Sequence, residues 1–186
     1  MGKKTSVYGI YKTVPSVEAG VDALKAAGYR SEDISVLLPQ NMSNKEFAHA
    51  KETKAPEGTT TGATTGAVVG GALGWLVGIG ALAIPGMGPF IAAGPIMAAL
   101  SGIGAGGVVG GLVGALVGMG IPEYEAKRYE GMVRDGGILI SVHCDDSDWA
   151  KRAKDILERT GARDISSAGE GSADYAETER PVLTRR

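Results

Sequence analysis

The segments GATTGAVVGGALGWLVGIGALAI (62–84) and IMAALSGIGAGGVVGGLVGALVGMG (96–120) each contain a run of five glycines spaced four residues apart. Residues four apart lie on nearly the same face of an α-helix, so each run predicts a stripe without side chains along one helix. Such stripes let two helix backbones approach closely, as in the small-xxx-small packing of membrane helices. The candidate helix-packing residues are Gly62, Gly66, Gly70, Gly74, Gly78, Gly102, Gly106, Gly110, Gly114 and Gly118.

The two glycine runs are mirror images of each other about Phe90. This symmetry predicts an antiparallel helical hairpin whose tip lies near residues 85–95 and in which Gly70 is a close neighbour of Gly110. Each arm would be about 35 Å long or slightly longer as a continuous helix, which is enough to cross the hydrocarbon core of a bilayer.

The surroundings of the glycine runs indicate where the hairpin resides. No charged residue occurs between Glu57 and Glu123, although 22% of the whole chain is charged. The uncharged block therefore predicts a membrane-embedded hairpin, and the lysines and arginines on both sides of it place both chain ends on the cytoplasmic side. The alternative is a cytoplasmic assembly in which hairpins from many copies share one apolar core.

Composition narrows the range of partners. The net charge is −2 and no basic patch is evident, so nothing favours binding to nucleic acid. The single cysteine, Cys144, excludes an intrachain disulfide. The outer faces of the two arms remain apolar and must contact lipid or another subunit, which predicts a homo-oligomer in contact with membrane lipid.

The flanks on either side of the uncharged block predict two β-α-β units. Each unit has a strand, an amphipathic helix that ends at a glycine, and a second strand. The predicted strands are 6–11, 33–38, 138–143 and 162–166, with helices that begin near Ser16 and near Asp146. Together they predict an α+β fold of the ferredoxin-like (split β-α-β) type, interrupted by the long glycine-zipper helical hairpin, with strands 6–11 and 138–143 paired at the centre.

This interpretation divides the chain into four parts. Residues 1–57 form the first half of the ferredoxin-like domain and a polar linker, and 58–122 form the hydrophobic hairpin. Residues 123–168 form the second half, beginning with an amphipathic helix after Pro122, and 169–186 form a polar tail without periodicity.

The first half carries a family resemblance. Val7, Tyr8 and Tyr11, then Gly28-Tyr29 and the run Asp33-Ile34-Ser35-Val36, resemble the bacterial YflT-like general stress protein domain, also called the heat-induced stress protein domain. The resemblance covers about residues 5–38 and implies a bacterial, stress-associated protein with no catalytic residues to transfer. The order of half-domain, hydrophobic hairpin and half-domain also looks like the membrane-anchored ActD subunit of alternative complex III, an analogy of architecture.

Among residues that could bind a metal ion or take part in catalysis, the sequence contains one dense cluster, His143-Cys144-Asp145-Asp146, at the end of the third predicted strand. Adjacent strand residues point to opposite faces of a sheet, so His143 and Cys144 are poorly placed to bind one metal ion. The aspartates are better explained as the start of a helix. The sequence therefore predicts no catalytic, cofactor-binding or metal-binding residues, no cofactor and no enzymatic activity.

Three functions are compatible with these features. The main hypothesis is a non-enzymatic, stress-associated protein that self-assembles through its hairpin in the bacterial inner membrane and displays a cytoplasmic α+β domain. The first alternative is a soluble homo-oligomeric shell or scaffold with the hairpins in a shared core. The second alternative is an accessory subunit of a membrane complex, with a protein partner that the sequence does not identify.

Overall fold

The computed structural model describes residues 5–40, 80–84, 86–106 and 111–169, with the helix backbone alone at 102–106. In these residues one antiparallel sheet of six strands has the order β3-β4-β2-β5-β1-β6. The strands are β1 (Thr5–Tyr11), β2 (Ile34–Pro39), β3 (Gly80–Ile84), β4 (Gly88–Ala93), β5 (Ile138–Cys144) and β6 (Arg163–Gly169). The helices are α1 (Val14–Ala26), α2 (Pro95–Gly106), α3 (Gly111–Gly118), α4 (Glu123–Arg134) and α5 (Ser147–Arg159).

The pairing of strands 6–11 and 138–143 that the sequence predicts is confirmed. In the antiparallel β1–β5 pair, Val7 lies opposite Val142 and Tyr11 lies opposite Ile138. The edge strand β6 then pairs with the other side of β1, and β2 pairs with the other side of β5. The first and last parts of the described chain therefore meet in the middle of one sheet.

Helices α1 and α5 pack on one face of the sheet. Val17, Val21 and Leu24 of α1 share a buried apolar cluster with Ile156 and Leu157 of α5. Asp146 begins α5, since its Oδ1 accepts hydrogen bonds of 2.9 Å from the backbone N–H groups of Asp148 and Trp149. Helix α1 begins three residues earlier than expected.

The earlier start of α1 has a simple cause. Thr13 caps this helix in place of the predicted Ser16, because the Thr13 hydroxyl accepts from the Ser16 N–H. Pro15 lies in the first turn, where its missing N–H has no intrahelical partner to lose.

Helices α2, α3 and α4 cover part of the opposite face. Leu37 and Leu139 of the sheet pack there with Ile96, Leu112 and Leu116, which lie on α2 and α3. Helix α4 is the amphipathic helix predicted after Pro122, and it buries Ala126, Tyr129 and Val133. The two faces of the sheet therefore have separate apolar cores.

The predicted fold class, a ferredoxin-like domain interrupted by a long glycine-zipper helical hairpin, is wrong, although an α+β class is compatible with the structure. Residues 80–84 and 88–93 form a β-hairpin, so the end of the first predicted helical arm is a strand, and most of the predicted tip at 85–95 is a strand as well. Two observations explain the difference. Gly86 and Gly88 adopt positive φ angles of 77° and 104°, which suit a tight turn, and β4 completes its hydrogen bonds by pairing with β2.

The predicted second arm is also not one long helix. Its described residues form α2 with 12 residues and α3 with 8 residues, about 18 Å and 12 Å long. The hydrocarbon core of a bilayer is about 30 Å thick. Among the described residues, no helix has both the length and the apolar character needed to cross a membrane, so the predicted transmembrane helix is not found there.

Several predictions fall outside the described residues. These are the first arm at 62–79, the contact between Gly70 and Gly110, the polar linker after residue 40, and the tail from residue 170. The division into 1–57, 58–122, 123–168 and 169–186 stays a prediction. Strands β3 and β4, from the uncharged block, belong to the same sheet as strands from both flanks.

Candidate functional site

A strip of polar side chains runs across three neighbouring strands on the sheet face that also carries α2, α3 and α4. Strand alternation places Ser6 of β1, Ser35 of β2, and Ser141 and His143 of β5 on this face, because Tyr8, Leu37 and Leu139 share it. Ser35 lies opposite Ser141 in the register, and Ser6 lies opposite His143. The four side chains therefore form one patch at one end of the sheet.

This patch is the floor of a cavity of about 400 Å³, which we call the serine cleft. Pro95 at the start of α2, and Gly118 and Met119 at the end of α3, form its walls. Glu32 and Asp33, in the 3₁₀ turn before β2, lie at its rim. Ser6, Ser35 and Ser141 are the buried polar residues of the described chain, so all of them line this one cleft.

The first turn of α2 is held against the floor by Gly94 and Ser35. Gly94 has a φ of 72°, and a Cβ there would clash with the carbonyl oxygen of Ile34. Glycine at this position lets the chain pass close to β2, and the Ile96 N–H then donates to Ser35 Oγ at 3.3 Å. This bond fixes one serine and occupies a backbone donor at the start of the helix.

The charges at the rim are unevenly paired. Arg30 binds both oxygens of Asp33, through Nε at 2.8 Å and through a terminal nitrogen at 3.0 Å. Its other terminal nitrogen lies 2.8 Å from Glu32, whose side chain is 61% exposed. The described residues that line the cleft include two carboxylates and neither a lysine nor an arginine. The cleft is therefore a polar site with an excess of negative charge at its mouth.

His143 connects the cleft to the predicted ligand cluster. Its Nε2 lies 3.6 Å from Oδ1 of Asp145, while Cys144 points to the other face and is buried in the α1–α5 core. The opposite orientation of these neighbours follows the expectation from strand alternation. Within the described residues, no group of three or more histidine, cysteine or acidic side chains is arranged to hold a metal ion.

A second polar network ties α4 to the edge strand β6. The Tyr129 hydroxyl donates to the Asp164 carbonyl at 2.7 Å and lies 2.8 Å from Ser166 Oγ, which reaches Glu125 at 2.9 Å. Burial raises the pKa of Tyr129 above its usual value. Arg128 also pairs with Asp164. This network holds α4 in place beside the cleft-bearing face.

An aromatic pair lies behind the cleft on the α1–α5 side. The Tyr29 hydroxyl donates to the Trp149 carbonyl at 2.6 Å, and the two rings meet edge to face with centroids 4.9 Å apart. The Arg152 guanidinium stacks over the Trp149 ring at 5.1 Å. Burial is the main cause that raises the pKa of Tyr29, to about 12. These contacts join the end of α1 to the start of α5.

A comparison with family models matches residues 5–167 to one described as Alternative complex III, ActD subunit. The match spans both flanks and the uncharged block between them. The chain belongs to the ActD family. No curated protein and no solved structure matches the chain.

Membership of the ActD family corrects the sequence interpretation. The assignment to the YflT-like general stress proteins is wrong, and the stress response loses its support with it. That resemblance rested on about 34 residues whose pattern marks a strand, a helix ending at glycine and a second strand, which unrelated α+β proteins share. The architectural analogy to ActD pointed to the family that the comparison shows.

The ten glycines proposed for helix packing are only partly described. Gly62, Gly66, Gly70, Gly74, Gly78 and Gly110 lie outside the described residues, and Gly102 and Gly106 lie in α2. Gly114 and Gly118 lie in α3, where an added Cβ would meet no atom within 4 Å. The packing role of the set stays a prediction.

Sequence reasoning did not identify the serines of the cleft. Ser6 and Ser35 lie on strand faces whose other residues, such as Tyr8 and Leu37, are apolar and buried, and Ser141 follows the buried Leu139 on its face of β5. A small polar residue in such a pattern is the signal that marks them. In isolation, each serine is unremarkable in a strand. Only the register between β1, β2 and β5 shows that they lie together.

Proposed function

We propose that this protein is a non-catalytic accessory subunit of Alternative complex III, bound to the other subunits by protein contacts. The observation that supports this is the match of residues 5–167 to the ActD family, since it includes the segments that build the sheet and both of its faces. It favours the accessory-subunit alternative over a self-assembling stress protein. The homo-oligomer and the lipid contacts predicted from sequence are secondary proposals.

We propose further that association with the membrane comes through partner subunits, on the cytoplasmic side of a bacterial inner membrane. The support for this route is the ActD match, because it makes other subunits of the complex the expected binding partners. Protease protection in membrane vesicles of known orientation tests the side. Digestion of the protein only in inside-out vesicles supports the cytoplasmic side, and digestion only in right-side-out vesicles opposes it.

Affinity purification from the native host tests the subunit proposal. The chain carries a tag at its C-terminus, membranes are solubilised in mild detergent, and the eluate is separated on a native gel with the bands identified by mass spectrometry. We expect the protein in one band with the other subunits of the complex. An untagged strain is the control for nonspecific binding.

The opposite outcome is equally clear. If the complex assembles to its normal mass without the protein, and the tagged protein elutes alone or only with copies of itself, the subunit proposal is wrong. A self-only assembly would restore the homo-oligomer hypothesis.

A further inference from the structure

The serine cleft contains a buried hydroxyl to which the described residues supply no hydrogen bond. Ser141 is 3% exposed, and no hydrogen bond to its hydroxyl is found within the described residues. Ser35 differs, because its oxygen accepts from Ile96. A serine hydroxyl has one donor and two acceptor positions, and burying it without a partner is unfavourable. A group that enters the cleft would find this hydroxyl at the floor.

The charge of the lining indicates which kind of group that is. Glu32 and Asp33 line the cleft, and among the described lining residues there is neither a lysine nor an arginine, so His143 is the one basic side chain there. Arg30 holds Asp33 with two hydrogen bonds but contacts Glu32 with one nitrogen only, in an exposed pair that exchanges easily. The C-terminal end of α3, at Gly118 and Met119, adds the negative end of a helix dipole.

One feature of the cleft, the N-terminus of α2, favours a negatively charged ligand, but only weakly. The N-terminus of α2 carries a partial positive charge and borders the cleft at Pro95. However, the N–H of Ile96 already donates to Ser35, and the N–H of Met97 donates to Gly94. These donors are therefore not available to an anion. The two carboxylates decide the balance in favour of a cation.

We propose that the serine cleft receives one basic side chain, a lysine or arginine, from a partner polypeptide. The identity of the partner as another subunit of the complex rests on the proposed function. The ammonium or guanidinium group donates to Ser141 Oγ at the floor and pairs with Glu32 at the rim. A volume of about 400 Å³ lies in the lower part of the range for sites that take small groups.

Small analogues of the two side chains test the cleft directly. The full-length protein, labelled with ¹⁵N serine and isoleucine, is titrated with n-butylammonium and with ethylguanidinium while amide shifts are recorded. We expect saturable shifts at Ser35, Ser141 and Ile96. n-Butanol, which has the same chain without charge, and butyrate, which carries the opposite charge, are the reference ligands and should produce much smaller changes at these three amides.

Two variants with matched controls distinguish binding in the serine cleft from general effects of a substitution on the protein. Ser141→Ala removes the floor hydroxyl and should weaken n-butylammonium binding about tenfold or more, because hydrogen bonds to charged groups are strong. Ser167→Ala, at an exposed position of β6, is its control. Glu32→Gln should weaken binding about two- to fivefold, as for an exposed ion pair. Glu158→Gln, on α5 at the other face, should leave binding unchanged.

The proposal is overturned if butanol or butyrate shifts the three amides as strongly as the amines do. It is also overturned if the control variants weaken binding as much as Ser141→Ala and Glu32→Gln do. These measurements use the isolated chain, so their failure leaves the subunit proposal standing. If the amines bind as expected but the protein does not join the complex, only the subunit proposal and the identity of the partner are lost.

Discussion

Replacement of Gly94 by alanine is the sharpest test of the packing that forms the serine cleft. Gly94 has a φ of 72°, and a non-glycine residue in this left-handed region costs about 1–2 kcal/mol. The added methyl group would also clash with the Ile34 carbonyl oxygen and lie 3.0 Å from Ser35 Cα. Both are backbone atoms of a central strand, so they cannot move aside without disturbing the sheet.

The expected loss follows from these terms. Overpacking costs about 1–3 kcal/mol, and the Ile96–Ser35 hydrogen bond contributes about 1 kcal/mol if α2 is displaced. With the left-handed conformation included, the free energy of unfolding should fall by about 3 kcal/mol or more. The assay is equilibrium denaturation of the full-length protein by urea, followed by far-ultraviolet circular dichroism.

Gly86→Ala is the matched control. Gly86 has a similar φ of 77°, but an added Cβ there meets nothing within 4 Å. This variant should lose only the conformational part, about 1–2 kcal/mol. Equal losses for the two variants would refute the argument that the close approach of α2 to β2 matters, since they would leave backbone conformation as the whole effect.

Three further predictions concern the elements around the site. Tyr129→Phe removes the hydrogen bond to the Asp164 carbonyl and should lower the free energy of unfolding by about 1–2 kcal/mol. The control Tyr124→Phe, at a residue 76% exposed, should change the free energy of unfolding by less than about 0.5 kcal/mol. Similar urea midpoints for the two variants would count against the α4–β6 network. Asp146→Ala removes the cap of α5 and should cost about 1 kcal/mol in the same assay, more than Asp148→Ala, and the reverse order would contradict the capping role. Burial raises the pKa of Tyr29 to about 12 in the folded protein, so the folded state retains a proton that the unfolded state loses near pH 10; the resulting stabilisation is present below pH 10 and is lost between about pH 10 and 12. In a spectroscopic titration, the tyrosinate absorbance of Tyr29→Phe should lack the component that titrates near pH 12. An unchanged titration would show that another residue causes this component.

Local patterns predicted much of the sheet and the helices that flank it. Strand 138–143 was recognisable because it combines β-branched residues with a preceding turn, and the helix after Asp146 because it has a cap, an apolar face and a terminal glycine. These signals lie within a few residues of the structure that they determine. The central pairing of β1 with β5 followed from combining two such units into one sheet.

The β-hairpin at 80–93 was not predictable in the same way. Glycines four apart suit a close-packed helix, but glycine also suits tight turns, and the local sequence does not choose between them. The choice depends on the free edge of β2, far away in the chain. There Val36 pairs with Ala93 and Leu38 pairs with Ile91, so the backbone groups of β4 gain partners that an irregular turn between two helices would not provide.

In the serine cleft, too, some features follow from the local sequence and others only from the tertiary structure. The sequence by itself determined that Ser6, Ser35 and Ser141 lie in strands, each beside apolar residues of alternating orientation. Only the tertiary structure decided that the three strands are neighbours in a register that brings the serines together, and that α2 and α3 leave this end of the sheet uncovered. The physical reason is range, because side-chain alternation acts between adjacent residues. The register depends on contacts between strands more than a hundred residues apart, and the coverage by α2 on a contact between residues 61 apart.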